Sequence, residues 1–151
     1  MKKLFLLLIL SLFISQCGYE KVYSGKNLNL TIKEIKKENN VINNELSDAL
    51  LGILSNKASE NTYNLEIQSK KFTEVRSKNS KGNPSVYALK LETKVIAIDN
   101  SNKEHISIFY EQMNYNNNDD KFELSQYIKE IEKILIKETV EDIIVYLADL
   151  E

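Results

Sequence analysis

Leu28, Leu30 and Ile32 alternate with polar residues between Leu28 and Ile35, and this period of two predicts a half-buried strand. Lys36 to Asn40 is a polar turn. The period then lengthens. Leu46, Ala49, Leu50, Ile53 and Leu54 fall at i, i+3, i+4, i+7 and i+8, which places one apolar stripe on a helix capped by Asn44 and ending near Asn56 or Lys57. Gly52 inside that helix costs about 1 kcal/mol relative to alanine, so the helix has to gain its stability from packing.

Three further strand-like runs follow. Tyr63, Leu65 and Ile67 alternate, and Phe72 breaks their phase, which predicts a bulge near Ser69. A polar loop from Ser77 to Ser85 contains Gly82-Asn83-Pro84. Tyr87, Leu89, Leu91, Thr93, Val95 and Ala97 then alternate, Asp99-Asn100-Ser101-Asn102 has the composition of a hairpin turn, and Ile106, Ile108 and Tyr110 alternate towards Asn114. These three runs form an antiparallel meander.

Asn116 to Asp119 ends the sheet, and Asp120 and Glu123 have the spacing of a capping box. The helix they open runs to about Leu150, and its stripe moves. Tyr127, Ile128, Ile131, Ile134 and Leu135 share one arc, whereas Ile136, Val140, Ile143, Leu147 and Leu150 share another about 100° round. Either the helix bends or its halves pack on different surfaces. The order is therefore β-α-β-β-β-α and the class α+β, with two helices packed on one face of a four-stranded, mostly antiparallel sheet. The first strand reaches the sheet through the first helix, which lets it lie parallel to its neighbour.

The start of the chain reads as an address. Met1-Lys2-Lys3 is cationic, and Leu4 to Ile14 is apolar except for Ser11. As a helix that run spans roughly 16 Å, short of a bilayer core of about 30 Å. The pattern is that of a bacterial secretory signal peptide, with a buried N-terminal helix or a marginal membrane anchor as the ordinary alternative. No alanine precedes Ala49, so an A-x-A cleavage site is missing. Ile14-Ser15-Gln16-Cys17 instead resembles the lipobox of bacterial lipoproteins, although Gln16 stands where lipoboxes carry Gly, Ala or Ser. Cys17 is the only cysteine, so it has no internal disulfide partner, and a diacylglycerol on its sulfur accounts for it. Fatty acyl chains contribute about 0.8 kcal/mol per buried CH₂, enough for two or three of them to hold the protein on a membrane. Residues 1–16 are thus expected to form a lipoprotein signal peptide, 17–27 a lipidated tether and 28–151 a single domain. Gly18 after the cysteine resembles the outer-membrane sorting pattern.

Composition narrows the function without naming it. The 151 residues are 42% hydrophobic and 28% charged, which excludes a collagen-like, disulfide-dense or wholly disordered chain. Without Lys2 and Lys3, 18 basic residues face 22 acidic ones, a balance of −4 that argues against a nucleic-acid-binding domain. Charge is divided along the chain: Tyr63 to Tyr115 carries +2 and Asn116 to Glu151 carries −6.

Arg76 is the only arginine, and Lys78 and Lys81 follow it. A guanidinium grips phosphate through two parallel donors, while lysine supplies a mobile point charge. Together these three can bind the phosphates of a lipid A head group, and a plain solvated loop is the alternative. His105 is the only histidine, so a His- or Cys-based metal site is not expected, and no cofactor is implied. No G-x-S-x-G elbow accompanies it, and it reads as an exposed histidine at a strand start. Asp119, Asp120 and Glu123 are accounted for by the positive end of a helix. Tyr63, Tyr87, Tyr110 and Tyr115 suit an interface or an ordinary sheet face equally.

Cys17-Gly18-Tyr19, the helix opening Asn44-Glu-Leu-Ser-Asp-Ala-Leu, the strands Tyr63-Asn-Leu-Glu-Ile and Tyr87-Ala-Leu-Lys-Leu, and the strand end Tyr115-Asn116-Asn117 before a long helix resemble the LptE family of lipopolysaccharide-assembly lipoproteins. The likeness is to its alphaproteobacterial branch, whose mature start carries a proline that this chain lacks. The resemblance implies two helices on a four-stranded sheet and no enzymatic activity. It also implies a place in the lumen of an LptD-type β-barrel at the periplasmic face of the outer membrane, acting as plug, assembly aid and helper in lipopolysaccharide delivery. A periplasmic small-ligand binder or envelope scaffold unrelated to lipopolysaccharide is a second reading. A hydrolase using His105 is a third.

Overall fold

The computed structural model describes residues 28–55 and 59–150; the N-terminal apolar segment, Cys17 and the tether to residue 27 lie outside the described residues. Strand β1 (Leu30–Lys37) leads to helix α1 (Val41–Leu54), strands β2 (Asn61–Lys78), β3 (Pro84–Ile98) and β4 (Glu104–Asn116), and helix α2 (Lys121–Ala148). The strands hydrogen-bond in the order β1-β2-β3-β4. β1 pairs parallel with β2, and the other two pairings are antiparallel. The α+β class, the element order and the parallel first strand thus hold. A chain that leaves a strand, crosses one sheet face as a helix and returns enters the next strand in the same direction.

Both helices cover one face. Leu46, Leu50 and Leu54 of α1 and Ile131, Leu135, Ile143 and Leu147 of α2 share a core with Leu65, Ile67, Leu89 and Val95. The cap of α1 is Asn40, not Asn44: the Asn43 N–H donates to Asn40 Oδ1 at 2.8 Å, so the helix starts early enough to bury Ile42. It ends at Leu54, where the Ser55 N–H donates to the Leu51 carbonyl, ahead of the expected stop. Asp120 caps α2 as expected, accepting from the N–H groups of Phe122 at 2.9 Å and Glu123 at 3.0 Å. Only half of the box forms, because the Asp120 N–H donates to Asn118 Oδ1 and the Glu123 carboxylate accepts from the Asn118 amide. Asp120→Ala is expected to cost about 1 kcal/mol of unfolding free energy, read by urea denaturation.

The moving stripe of α2 reflects its neighbours. The helix as a whole packs against α1, β3 and β4, and its C-terminal part buries a wide arc, including Ile136, Val140, Ile143, Ile144 and Leu147. Its N-terminal part buries less. Leu124 and Ile128 are half-buried there, while Tyr127 and Ile134, expected on the inner arc, are exposed.

Two strand readings are corrected. The β2–β3 register is unbroken from Asn64↔Ile98 to Val75↔Tyr87, so no bulge occurs at Ser69. The slips fall on either side of Ser77, and both strands extend into the expected loop. Ser69 keeps the helix-side phase and its hydroxyl meets that of Thr93 at 3.0 Å. Phe72 lies on the opposite face, since every residue from Lys70 to Lys78 is exposed and no core demands an apolar side chain there. In β4 the phase is reversed. Pairing places His105, Ser107, Phe109, Glu111, Met113 and Tyr115 opposite the inward residues of β3, and Ile106, Ile108 and Tyr110 are 56%, 46% and 67% exposed on the outer face.

The two ends of the domain differ. The start of β1 lies beside the start of β2, and the β3–β4 turn and Leu150 share that end. The β2–β3 turn and the start of α2 form the other, joined by the Asn117 N–H to the Ser85 carbonyl at 2.9 Å. Between them β2 runs 18 residues, about 60 Å at the rise of an extended chain.

Candidate functional site

The β2–β3 turn is organised by Asn79. Its side-chain oxygen accepts from the Lys81 and Asn83 N–H groups, both at 3.0 Å, while its carbonyl accepts from the Gly82 N–H at 2.9 Å. Gly82 has φ +83°, a left-handed conformation that favours glycine. Lys78 and Lys81 therefore stand on a fixed crest, and neither makes an ion pair among the described residues.

Arg76 is not part of that crest. It sits where the register slips, and its side chain crosses the outer face of β3 so that Nη2 donates to Gln112 Oε1 of β4 at 2.7 Å. Glu74 lies 3.5 Å from its Nη1 and 2.6 Å from Lys90 Nζ. The hydrogen bond from Lys90, then its charge, hold the Glu74 carboxyl below the ordinary range, and Arg76 adds to this. Lys90 Nζ also stands 5.7 Å from the centroid of the Phe72 ring. A depression of about 410 Å³ opens here, bordered by Phe72, Lys90, Tyr110 and Gln112. The three residues singled out by sequence thus divide, with Arg76 over the sheet and Lys78 and Lys81 at the crest. Sequence pattern does not reveal Lys90, Gln112 and Phe72, because only the strand register brings them beside Arg76.

A second groove, about 340 Å³, lies on the helix side between the far half of β2 and the first turns of α2. Lys71, Lys121 and Lys129 surround it over a floor of Leu124 and Ile128, and Lys71 bonds Glu132 of α2 at 2.6 Å. Lys121 and Lys129 read as ordinary surface positions on a helix, and only the chain reversal at Asn117 sets them against Lys71.

The remaining candidates have structural partners. His105 is only partly exposed, because its Nε2 lies 3.1 Å from Asp99 Oδ2 across the β3–β4 turn. Bonds from the Ser101 hydroxyl, then from His105, hold Asp99 well below the usual carboxylate range. Tyr87 and Tyr115 stack at 5.5 Å on the covered face, and Tyr63 and Tyr115 are buried. Of the four strand tyrosines only Tyr110 faces outward. Among the described residues no group of His, Cys, Asp and Glu has an arrangement that can hold a metal ion, and no helix is long and apolar enough to cross a membrane.

A mixed four-stranded sheet with a parallel first strand and two helices on one face is the fold of known bacterial lipoprotein structures. It is similar to rare lipoprotein B from Shewanella oneidensis, with a TM-score of 0.61 at 11% identity over 78% of this chain and 96% of that one. A minor lipoprotein from Acinetobacter baumannii gives 0.59 at 11% identity, covering 81% and 92%. Lipoprotein B from Nitrosomonas europaea gives 0.58 at 15%, covering 82% and 86%. No family model and no curated protein matches the sequence. At these identities the likeness is one of fold, and in fold the resemblance to LptE-type lipoproteins is borne out.

Proposed function

We propose that this protein is an LptE-type lipoprotein, held at the periplasmic face of the outer membrane through Cys17, that plugs and helps assemble an LptD-type β-barrel and assists lipopolysaccharide delivery. The observation that carries this reading is the match to rare lipoprotein B across 96% of that chain. The mechanism is physical rather than catalytic. Acyl chains on Cys17 confine the domain to the membrane, and the amino-terminal end of β1 faces that anchor. The crest with Lys78 and Lys81 then lies about 60 Å away, beyond the roughly 30 Å of a bilayer core. Arg76 and Lys90 offer two cations on a rigid sheet, where an anionic glycolipid phosphate competes with Glu74 for them.

Affinity purification of the full chain from membranes is expected to bring down an outer-membrane β-barrel, and depletion of the chain to lower the amount of assembled barrel. Cys17→Ala is expected to leave the protein soluble in the periplasm. Normal barrel levels after depletion would sink the proposal, and a pull-down without any barrel would leave an envelope scaffold or small-ligand-binding lipoprotein.

A further inference from the structure

β1 ends opposite Ile67 of β2, at the pair Lys37↔Ile67, because the chain turns away into α1. From Gln68 to Lys78 β2 has β3 on one side and, among the described residues, no strand on the other. An open edge of this kind presents a row of unpaired N–H and C=O groups along a strand already held straight by its other neighbour. The space beside it is a slot with a roof: on the helix side the groove over Leu124 and Ile128 borders it, and Val75 and Phe72 offer apolar surface on the two faces.

The charge of this edge selects its occupant. Between Gln68 and Lys78 the strand carries Lys70 and Lys78, neither in an ion pair among the described residues, and Lys71, while Glu74 and Arg76 turn over the sheet towards Lys90 of β3 and Gln112 of β4. Lys121 and Lys129 add positive charge from above. Of the nearby acids on α2, Glu132 is bound by Lys71 and Glu130 by Lys133. Lysines along an edge repel a second copy of the same edge. They attract an extended chain that alternates acidic and apolar residues, whose main chain bonds to β2 while its apolar side chains enter the groove. We infer that the far half of β2 is a docking edge for an acidic, extended segment of a partner protein, which adds as a fifth strand beside β2. This inference does not rest on the lipopolysaccharide reading and survives its failure.

The test uses the full chain and a blocked peptide of about seven residues alternating Glu and Val, with a Lys–Val peptide as control. Backbone amide exchange is followed by segment. The Glu–Val peptide is expected to protect amides between Gln68 and Lys78, and the Lys–Val peptide to protect none. Lys70→Glu combined with Lys129→Glu, both at exposed positions, is expected to weaken binding about tenfold with an unchanged circular dichroism spectrum. The inference is overturned by equal protection from both peptides, by protection at Glu104–Asn116 instead, or by no change up to about 1 mM peptide. It is equally overturned if phosphatidylglycerol vesicles protect the edge and the peptide does not.

Discussion

Replacing Leu50 by alanine is expected to lower the unfolding free energy by about 2–5 kcal/mol, a larger loss than removal of a helix cap. Leu50 is fully buried in the shared core, on a helix that packs against α2, β1 and β2. Truncation there removes the transfer free energy of three carbons and leaves a cavity in a core whose helices and strands are already packed on one another, so the site collapses only in part. α1 has little else to hold it. It is 14 residues long, contains Gly52, and has neither an acidic first turn nor a basic last turn. Ile53, three positions further along the same helix, is 39% exposed, so Ile53→Ala is expected to cost less than about 1 kcal/mol. Urea unfolding of the two variants separates them: equal losses would mean that α1 does not depend on its buried stripe.

Stability is expected to fall as pH rises from about 4.5 to about 7, by about 1.5 kcal/mol, and to level off above that range. The cause is Glu111. Burial, then a hydrogen bond with Asp142, then the charges of Asp142 and Glu138 push its carboxyl up to about 7. The folded state therefore binds a proton that the unfolded chain has already released, and that advantage disappears once both states are ionised. Solvent still reaches the carboxyl, and screening reduces the effect to the figure given. Glu111→Gln is expected to match the parent protein near pH 4 and to exceed it in stability at pH 8. Asp99 works with the opposite sign and at lower pH: its depressed carboxyl contributes stability above the ordinary aspartate range, which is lost as acid protonates it. A parent protein whose stability rises between pH 5 and pH 7 would refute the assignment to Glu111.

The same strand shows where sequence pattern stops. The inward set of β3, from Tyr87 to Ala97, is legible because one face of a central strand is buried under helices and the other is mostly charged. β4 lies at the edge, where α2 shields only part of its inner face. That partial cover tolerates His105, Ser107 and Glu111 inside, while Ile106, Ile108 and Tyr110 remain outside. Judged by hydrophobicity alone, the wrong face looks like the core. The cap of α1 escapes pattern for a related reason: Asn39, Asn40, Asn43 and Asn44 all suit a helix start, and only the bond geometry selects Asn40. Arg76 is visible as a lone guanidinium, but its partner Gln112 is 36 residues downstream on another strand, and no spacing rule links them.

The parallel pairing of β1 with β2 has a mechanical side. A pull on the amino-terminal end of β1, with the far end of the molecule held fast, runs along the strand rather than across it. The seven pairs from Leu30↔Asn61 to Lys37↔Ile67 then carry the load together in shear, instead of opening one at a time like a zipper. Rupture under tension follows the unfolding barrier rather than the equilibrium stability. A domain loaded from that end, as the proposed lipid anchor would load it, thus resists being torn loose for longer than its modest size implies.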